Sequence, residues 1–247
     1  MVDVIVLIKQ MPDLEQVKID SNTREPMIKN VPKTVEILSE HAVEEAVRLK
    51  EKYKGKVTAI LLGNEQSSAI MKKAFAIGAD EGIIIDGYEE NNPANTARVL
   101  ATKIKEIKHD LVILGNQSAD SITGLIPGML SALLNEPLLG NAGKIEVTGT
   151  TVKVTRILEE DNIEIESPMP SIVSISQEIN EPRLPPVMQI MAAGRKPIKT
   201  EKIAPVISKA VTLVSNRAPR SERKKLVFED MDKGIPEVVK VLKEGMK

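Results

Sequence analysis

Cysteine is absent from the chain of 247 residues, which excludes disulfides, thiolate nucleophiles and cysteine zinc sites. The two histidines, His41 and His109, lie far apart in sequence, so metal catalysis is not expected. Tryptophan is also missing, and two Tyr and two Phe leave few platforms on which nucleic-acid bases could stack. No apolar run approaches the roughly 18 residues of a membrane span, and the opening MVDVIVLIKQ carries an acid where a signal peptide carries basic residues. The expectation is a cytoplasmic protein, or one of a comparable interior compartment, with no membrane insertion and no nucleic-acid partner. The common nucleotide and nucleophile fingerprints are missing too: no G-x-G-x-x-G follows the first apolar run, and neither G-x-x-x-x-G-K-[ST] nor G-x-S-x-G occurs. The carboxylate pairs Glu44–Glu45 and 159–161 read as solvated faces rather than acid/base dyads, so no catalytic residue is assigned.

What is present is an alternation. DVIVLIK (3–9), VTAILLG (57–63), EGIIIDG (81–87) and DLVILGN (110–116) are continuous apolar runs of strand length, as in strands covered on both faces. Between them, Ser39 is placed to cap a helix running to about Tyr53. EQSSAIMKKAFAIGAD supplies a second helix stopped at Gly78, and Pro93 opens a third reaching about Ile107. The order βαβαβαβα predicts an α/β fold with a Rossmann-like parallel sheet and helices on both faces. After Leu134 the stretch KIEVTGTTVKVTRILEEDNIEIESPMPSIVSIS alternates apolar and polar residues, predicting an antiparallel extension and one more buried strand, Ser171–Ile175.

Parallel sheets take ligands at the carboxyl ends of their strands. In this chain the polar stretch from Gly115 to Thr123 follows such a strand. A helix capped at Thr123 places Pro127 in its first turn, where no intrahelical N–H is needed. Its free N–H groups at Gly124, Leu125 and Ile126, with the Ser118, Ser121 and Thr123 hydroxyls, make a neutral phosphate cradle. Gly124 and Gly128 leave room for close backbone approach. The same residues also suit a capped polar loop without a ligand.

Residues 1–194 are read as the α/β domain and 195–247 as an arm. From Arg195 to Lys225 the chain carries +8, in a protein of net charge −1, which leaves −9 for the rest. The arm suits an acidic partner or the chain's own acidic body, and it ends in GIPEVVKVLKEG, an amphipathic helix placed to dock on another surface. Just before it, in the loop 180–194, prolines at 182, 185 and 186 stiffen NEPRLPPVMQIM. Leu184, Val187, Met188, Ile190 and Met191 are thereby presented as an apolar knob; the alternative is a loop buried against the protein's own sheet.

Five stretches in this order resemble one family, the β subunit of electron transfer flavoproteins: LIKQMPD, HAVEEAVRLKE, AFAIGADEGI, DLVILGNQSAD with its following Thr-Gly, and NEPRLPPVMQIMAAGRKPI (180–198). The resemblance implies a heterodimer with an α subunit that holds the redox FAD. It further implies that this chain's own site holds AMP or, in the electron-bifurcating members that oxidise NADH, a second FAD. KQMPD, VKID and NVPKTVEILSEHAVEEA look more like the bifurcating group. Carried over, the cofactor-binding residues are Leu7, Lys9, Glu36, Ile37, Leu38, Ser39, Leu62, Gly115, Asn116, Gln117, Ser118, Ala119, Asp120, Ser121, Ile122, Thr123 and Gly124. The implied activity is electron carriage between dehydrogenases and a quinone or ferredoxin-linked acceptor. Loop 180–194 would dock partner dehydrogenases or a quinone oxidoreductase, with Val187 at the usual anchor, and the arm would embrace the α subunit. A stand-alone adenine-nucleotide sensor of the same sheet order would need neither arm nor knob.

Overall fold

A computed structural model describes residues 1–87, 92–203, 214–220 and 226–245. In chain order its strands are β1 (Val4–Ile8), β2 (Gln10–Pro12), β3 (Lys18–Ile19), β4 (Pro26–Met27), β5 (Lys33–Val35), β6 (Val57–Leu62) and β7 (Glu81–Asp86). They continue as β8 (Leu111–Gly115), β9 (Leu138–Thr148), β10 (Thr151–Ile157), β11 (Asn162–Pro168), β12 (Ser171–Ile175) and β13 (Lys199–Lys202). The helices are α1 (Ile37–Tyr53), α2 (Ser68–Ile77), α3 (Pro93–Ile104), α4 (Leu125–Leu134), α5 (Val187–Arg195) and α6 (Met231–Gly245).

Nine strands form one sheet in the order β11-β10-β9-β12-β8-β1-β6-β7-β13. From β9 to β13 every neighbouring pair is parallel, and β9, β10 and β11 form the expected antiparallel extension. Alternate residues of β1 serve opposite faces. Val4, Val6 and Ile8 join the core that includes Ala42, Val43 and Ala46 of α1 and Met71 and Phe75 of α2. Ile5 and Leu7 join the core with Leu100 and Ile104 of α3 and Leu130 of α4. Burial on both sides is why these strands read as unbroken apolar runs, each fully buried Val, Leu or Ile contributing roughly 1.5–3 kcal/mol.

Helix boundaries differ from the sequence expectation where a long-range partner competes. α1 is capped by Glu36, whose carboxylate accepts from the Ser39 N–H at 2.9 Å and its hydroxyl at 3.2 Å. Ser39 does not cap, because its Oγ accepts from the Lys9 N–H at 3.0 Å, an orphan donor just beyond β1. α3 stops at Ile104 rather than near Ile107, and α4 is capped at Gly124 rather than Thr123, with Pro127 still in its first turn. α2 ends at Gly78, whose φ of +139° suits only glycine well.

The basic segment does not leave the sheet at Arg195. β13 pairs with β7 as a parallel edge strand, and Lys103 of α3 holds Glu201 of that strand at 2.8 Å. The chain forms two compact units, Met1–Lys18 with Met27–Ser215 and Ile19–Pro26 with Asn216–Lys247. In the second unit Ala218 donates its N–H to the Arg24 carbonyl at 2.8 Å, and Ile235, Val238, Val241 and Leu242 of α6 are exposed. Residues 204–213 and 221–225 of the basic arm lie outside the described residues. Among those described, no helix is long and apolar enough to cross a membrane.

Candidate functional site

After β1 the chain steps through β6 and β7 on one side, then returns to place β8 and β12 on the other. The reversal lies between β1 and β8, and in open parallel sheets such a point leaves a crevice beyond the carboxyl ends of the strands. Lys9 follows β1 and Gly115 closes β8, so both segments singled out in the sequence meet there.

Their contacts are direct. The Lys9 ammonium donates to Ser118 Oγ at 2.9 Å and to Asp120 Oδ1 at 2.5 Å, with Ser121 Oγ at 3.5 Å. The two serine hydroxyls are themselves 2.9 Å apart. Glu36 N–H donates to the Lys9 carbonyl at 3.0 Å, which ties the first turn of α1 to the same strand end. Gly115 is required here, since a Cβ on it would lie 2.7 Å from Leu38 Cβ. The group of hydroxyls expected to be neutral is therefore joined by a charged Lys9–Asp120 pair.

Beside this cluster α4 begins without any side-chain cap. Pro127 contributes no N–H, so the exposed donors of the first turn are those of Leu125 and Ile126. Gly124 has φ +60°, and among the described residues a Cβ there would meet only the Asn116 carbonyl at 3.6 Å; at Gly128 it would meet none of them within 4 Å. Open space, a lysine and a ten-residue helix with an uncapped N-terminus fit an anionic phosphate. Ile122 also sits at positive φ, +49°, and is 66% exposed. A β-branched residue in that region costs on the order of 1–2 kcal/mol, and such strain gathers at ligand loops.

Not every expected residue joins the cluster. Gln117, Ala119, Thr123 and Ile37 are exposed around it, whereas the Leu7 side chain lies in the core under α3 and α4 and Leu62 packs against that core at the end of β6. Sequence reading missed Asn141. Its φ is +58°, its Oδ1 accepts from Asn116 Nδ2 at 2.7 Å, and its own amide donates to the Ile157 carbonyl. The dipeptide Gly140–Asn141 interrupts the apolar pattern between Leu139 and Ala142, which was the available signal. Asn116 Oδ1 is buried without a hydrogen-bond partner among the described residues.

The residues read as an apolar knob are exposed: Leu184 by 94%, Val187 by 71%, Met188 by 77%, Ile190 by 52% and Met191 by 57%. They do not form a plain loop, because Pro186 leads directly into α5, whose Ala193 is buried. Upstream, Asn180 Nδ2 donates to the His41 carbonyl and to Glu45 Oε2, each at 3.1 Å. Glu45 is only 8% exposed, and burial pushes its carboxyl above the usual range despite that hydrogen bond. With its pKa raised by folding, the native state holds the proton more tightly than the unfolded chain, so Glu45 lowers stability as pH rises through the carboxylate range. Glu45→Gln, which keeps an acceptor for Asn180, should raise Tm at pH 7 by about 2 °C. Melts recorded near pH 4 and below should show the difference shrinking, and an equal gain at both pH values would contradict the burial argument.

Residues 29–206 match the electron transfer flavoprotein domain family. The chain is 32% identical over 196 residues to the electron transfer flavoprotein subunit beta of Thermoanaerobacterium thermosaccharolyticum, spanning 78% of this chain and 75% of that protein. It is 31% identical over 215 residues to the subunit beta of Mycobacterium leprae, with coverage of 83% and 81%. With that of Dictyostelium discoideum the identity is 33% over 173 residues, with coverage of 70% and 69%.

Proposed function

This chain belongs to the electron transfer flavoprotein family as a β subunit, and from that premise we propose that its β1/β8 crevice holds the phosphates of an adenine nucleotide within a heterodimer. The observation that carries this reading is the meeting of Lys9, Ser118 and Ser121 with the uncapped start of α4 at the topological switch point. Phosphate oxygens accept from the Leu125 and Ile126 N–H groups and from the Lys9 ammonium, while the absence of side chains at Gly124 and Gly128 lets the backbone come close. The nucleotide is AMP or a second FAD. A bound flavin supplies the redox chemistry, and the protein's own residues anchor and orient.

Paired with an α subunit that holds FAD, the chain carries electrons between dehydrogenases and a quinone or ferredoxin-linked acceptor. FAD in the β site would supply NADH oxidation, making the chain a bifurcating member. Leu184, Val187, Met188, Ile190 and Met191 dock the dehydrogenase or quinone oxidoreductase, and their exposure supports that role. The protein works in the cytoplasm.

The test is to purify the chain with its α subunit and determine flavin and AMP per heterodimer from the visible spectrum and from chromatography after denaturation. Two flavins place FAD in both sites; one flavin with one AMP places AMP here. A monomer that carries an adenine nucleotide and takes up no flavin partner would replace this reading with the stand-alone sensor.

A further inference from the structure

Leu184, Val187, Met188, Ile190 and Met191 stand in water; within α5 Ala193 is buried where the helix packs on α2, but the stretch that leads into α5 needs a hold of its own. Arg183, one residue before Leu184, supplies the hold. Its Nε donates to Glu44 Oε2 at 2.8 Å and its Nη2 to Glu44 Oε1 at 3.1 Å, one two-pronged contact. Its Nη1 and Nη2 donate to the two oxygens of Glu51 at 2.7 and 3.0 Å, a second. The Arg183 backbone N–H adds a bond to Glu44 Oε2 at 3.2 Å. Both acids stand on α1, whose neighbouring Arg48 also reaches the Glu181 carbonyl at 3.1 Å. On the far side, Lys196 donates to the Ala79 carbonyl at 2.7 Å and lies 5.3 Å from the centre of the Phe75 ring. The apolar row thus has a fastening at each end besides the packing of α5 on α2.

We propose that Arg183 is the positioning residue of this segment: clamped by Glu44 and Glu51, it sets where Leu184, Val187 and Met188 project, so that a partner protein meets a preformed surface. The inference rests on the docking role given under Proposed function. Its physical basis is that a planar guanidinium offers two forks at once and an ammonium does not. The Glu44 side chain is 1% exposed, a buried charge that requires a partner. Burial opposes its ionisation, but the bonds from Arg183 and Arg48 outweigh that and hold its carboxyl below the usual range. Glu44 remains paired when Arg183 is removed, because Arg48 Nε holds Glu44 Oε1 at 2.6 Å. Loss of the clamp should therefore loosen the segment without unfolding the sheet. A loosened segment presents its competent shape only part of the time, and apparent affinity falls by that fraction.

The experiment compares wild type, Arg183→Gln, Arg183→Lys and Val187→Asp as full heterodimers. The docking probe is a purified flavin-dependent dehydrogenase that passes electrons to the wild-type complex. Arg183→Gln should speed amide exchange over residues 187–193 by about tenfold and weaken docking by a similar factor, with Tm and nucleotide content held. Arg183→Lys, able to engage one acid at a time, should fall between. Val187→Asp should weaken docking at least as much and leave exchange unaltered, because it removes a contact rather than the hold. Unchanged exchange in Arg183→Gln, or faster exchange with undiminished docking, overturns the assignment. If Val187→Asp also docks normally, the docking role itself falls, and the positioning role with it.

Discussion

Gly124→Val should weaken β-site nucleotide binding by about 5- to 30-fold and lower the nucleotide content of the purified heterodimer, since a left-handed β-branched residue costs on the order of 1–2 kcal/mol and each 1.4 kcal/mol is tenfold in binding. The cause is conformation rather than crowding. Among the described residues a Cβ at this position has only the Asn116 carbonyl within reach, at 3.6 Å, but the backbone holds φ +60°. Valine avoids that region, so the chain would rotate the Leu125 and Ile126 N–H groups away from the crevice or unwind the first turn of α4. Ile122 two residues earlier already occupies the left-handed region at φ +49°, which leaves the loop little room to absorb a second strained residue. Gly124→Asn is the informative control: asparagine tolerates this conformation, so most of the nucleotide should remain although the side chain is as large as that of valine. Ser118→Ala removes only one of the oxygens around the Lys9 ammonium and should weaken binding modestly, by about 1 kcal/mol. The nucleotide is released by denaturation and quantified by chromatography. Equal content in wild type and Gly124→Val would remove α4 from the binding site.

Deleting residues 216–247 should abolish the heterodimer while leaving a folded α/β unit. The cut follows the compact unit that ends at Ser215, so β13 keeps its place beside β7. A cut at Lys196 would instead strip that edge strand and expose the Ile83–Ile85 run it pairs with, confusing lost assembly with lost folding. What the deletion removes is α6, whose Ile235, Val238, Val241 and Leu242 are 52–61% exposed. An amphipathic helix of this kind gains most of its stability from packing against another surface, and in this family member the proposed surface is the α subunit. Sizing chromatography of the co-expressed pair reads the result, and circular dichroism confirms the sheet. A truncated chain that still elutes with its α subunit at full yield would assign the interface to the α/β unit alone.

The amino-acid sequence by itself determined the parallel sheet, its antiparallel extension, the polar loop after β8 and the proline-stiffened apolar segment. All of these are local: an unbroken apolar run reports burial on both faces, alternation reports burial on one, and Gly, Pro and Ser mark where the chain must turn or cap. Tertiary structure decided the partners. Lys9 and Asp120 are separated by 111 residues and Arg183 and Glu44 by 139, and the sequence offers many other acids to each cation. The strand order settles the first choice by bringing the ends of β1 and β8 side by side, and the seating of 180–183 on α1 settles the second. The same reason explains why Glu36 rather than Ser39 caps α1, and why Glu44, read as a solvated face, is a buried anchor: a side chain's role follows from which distant group the fold brings within hydrogen-bond reach, and no local pattern carries that information.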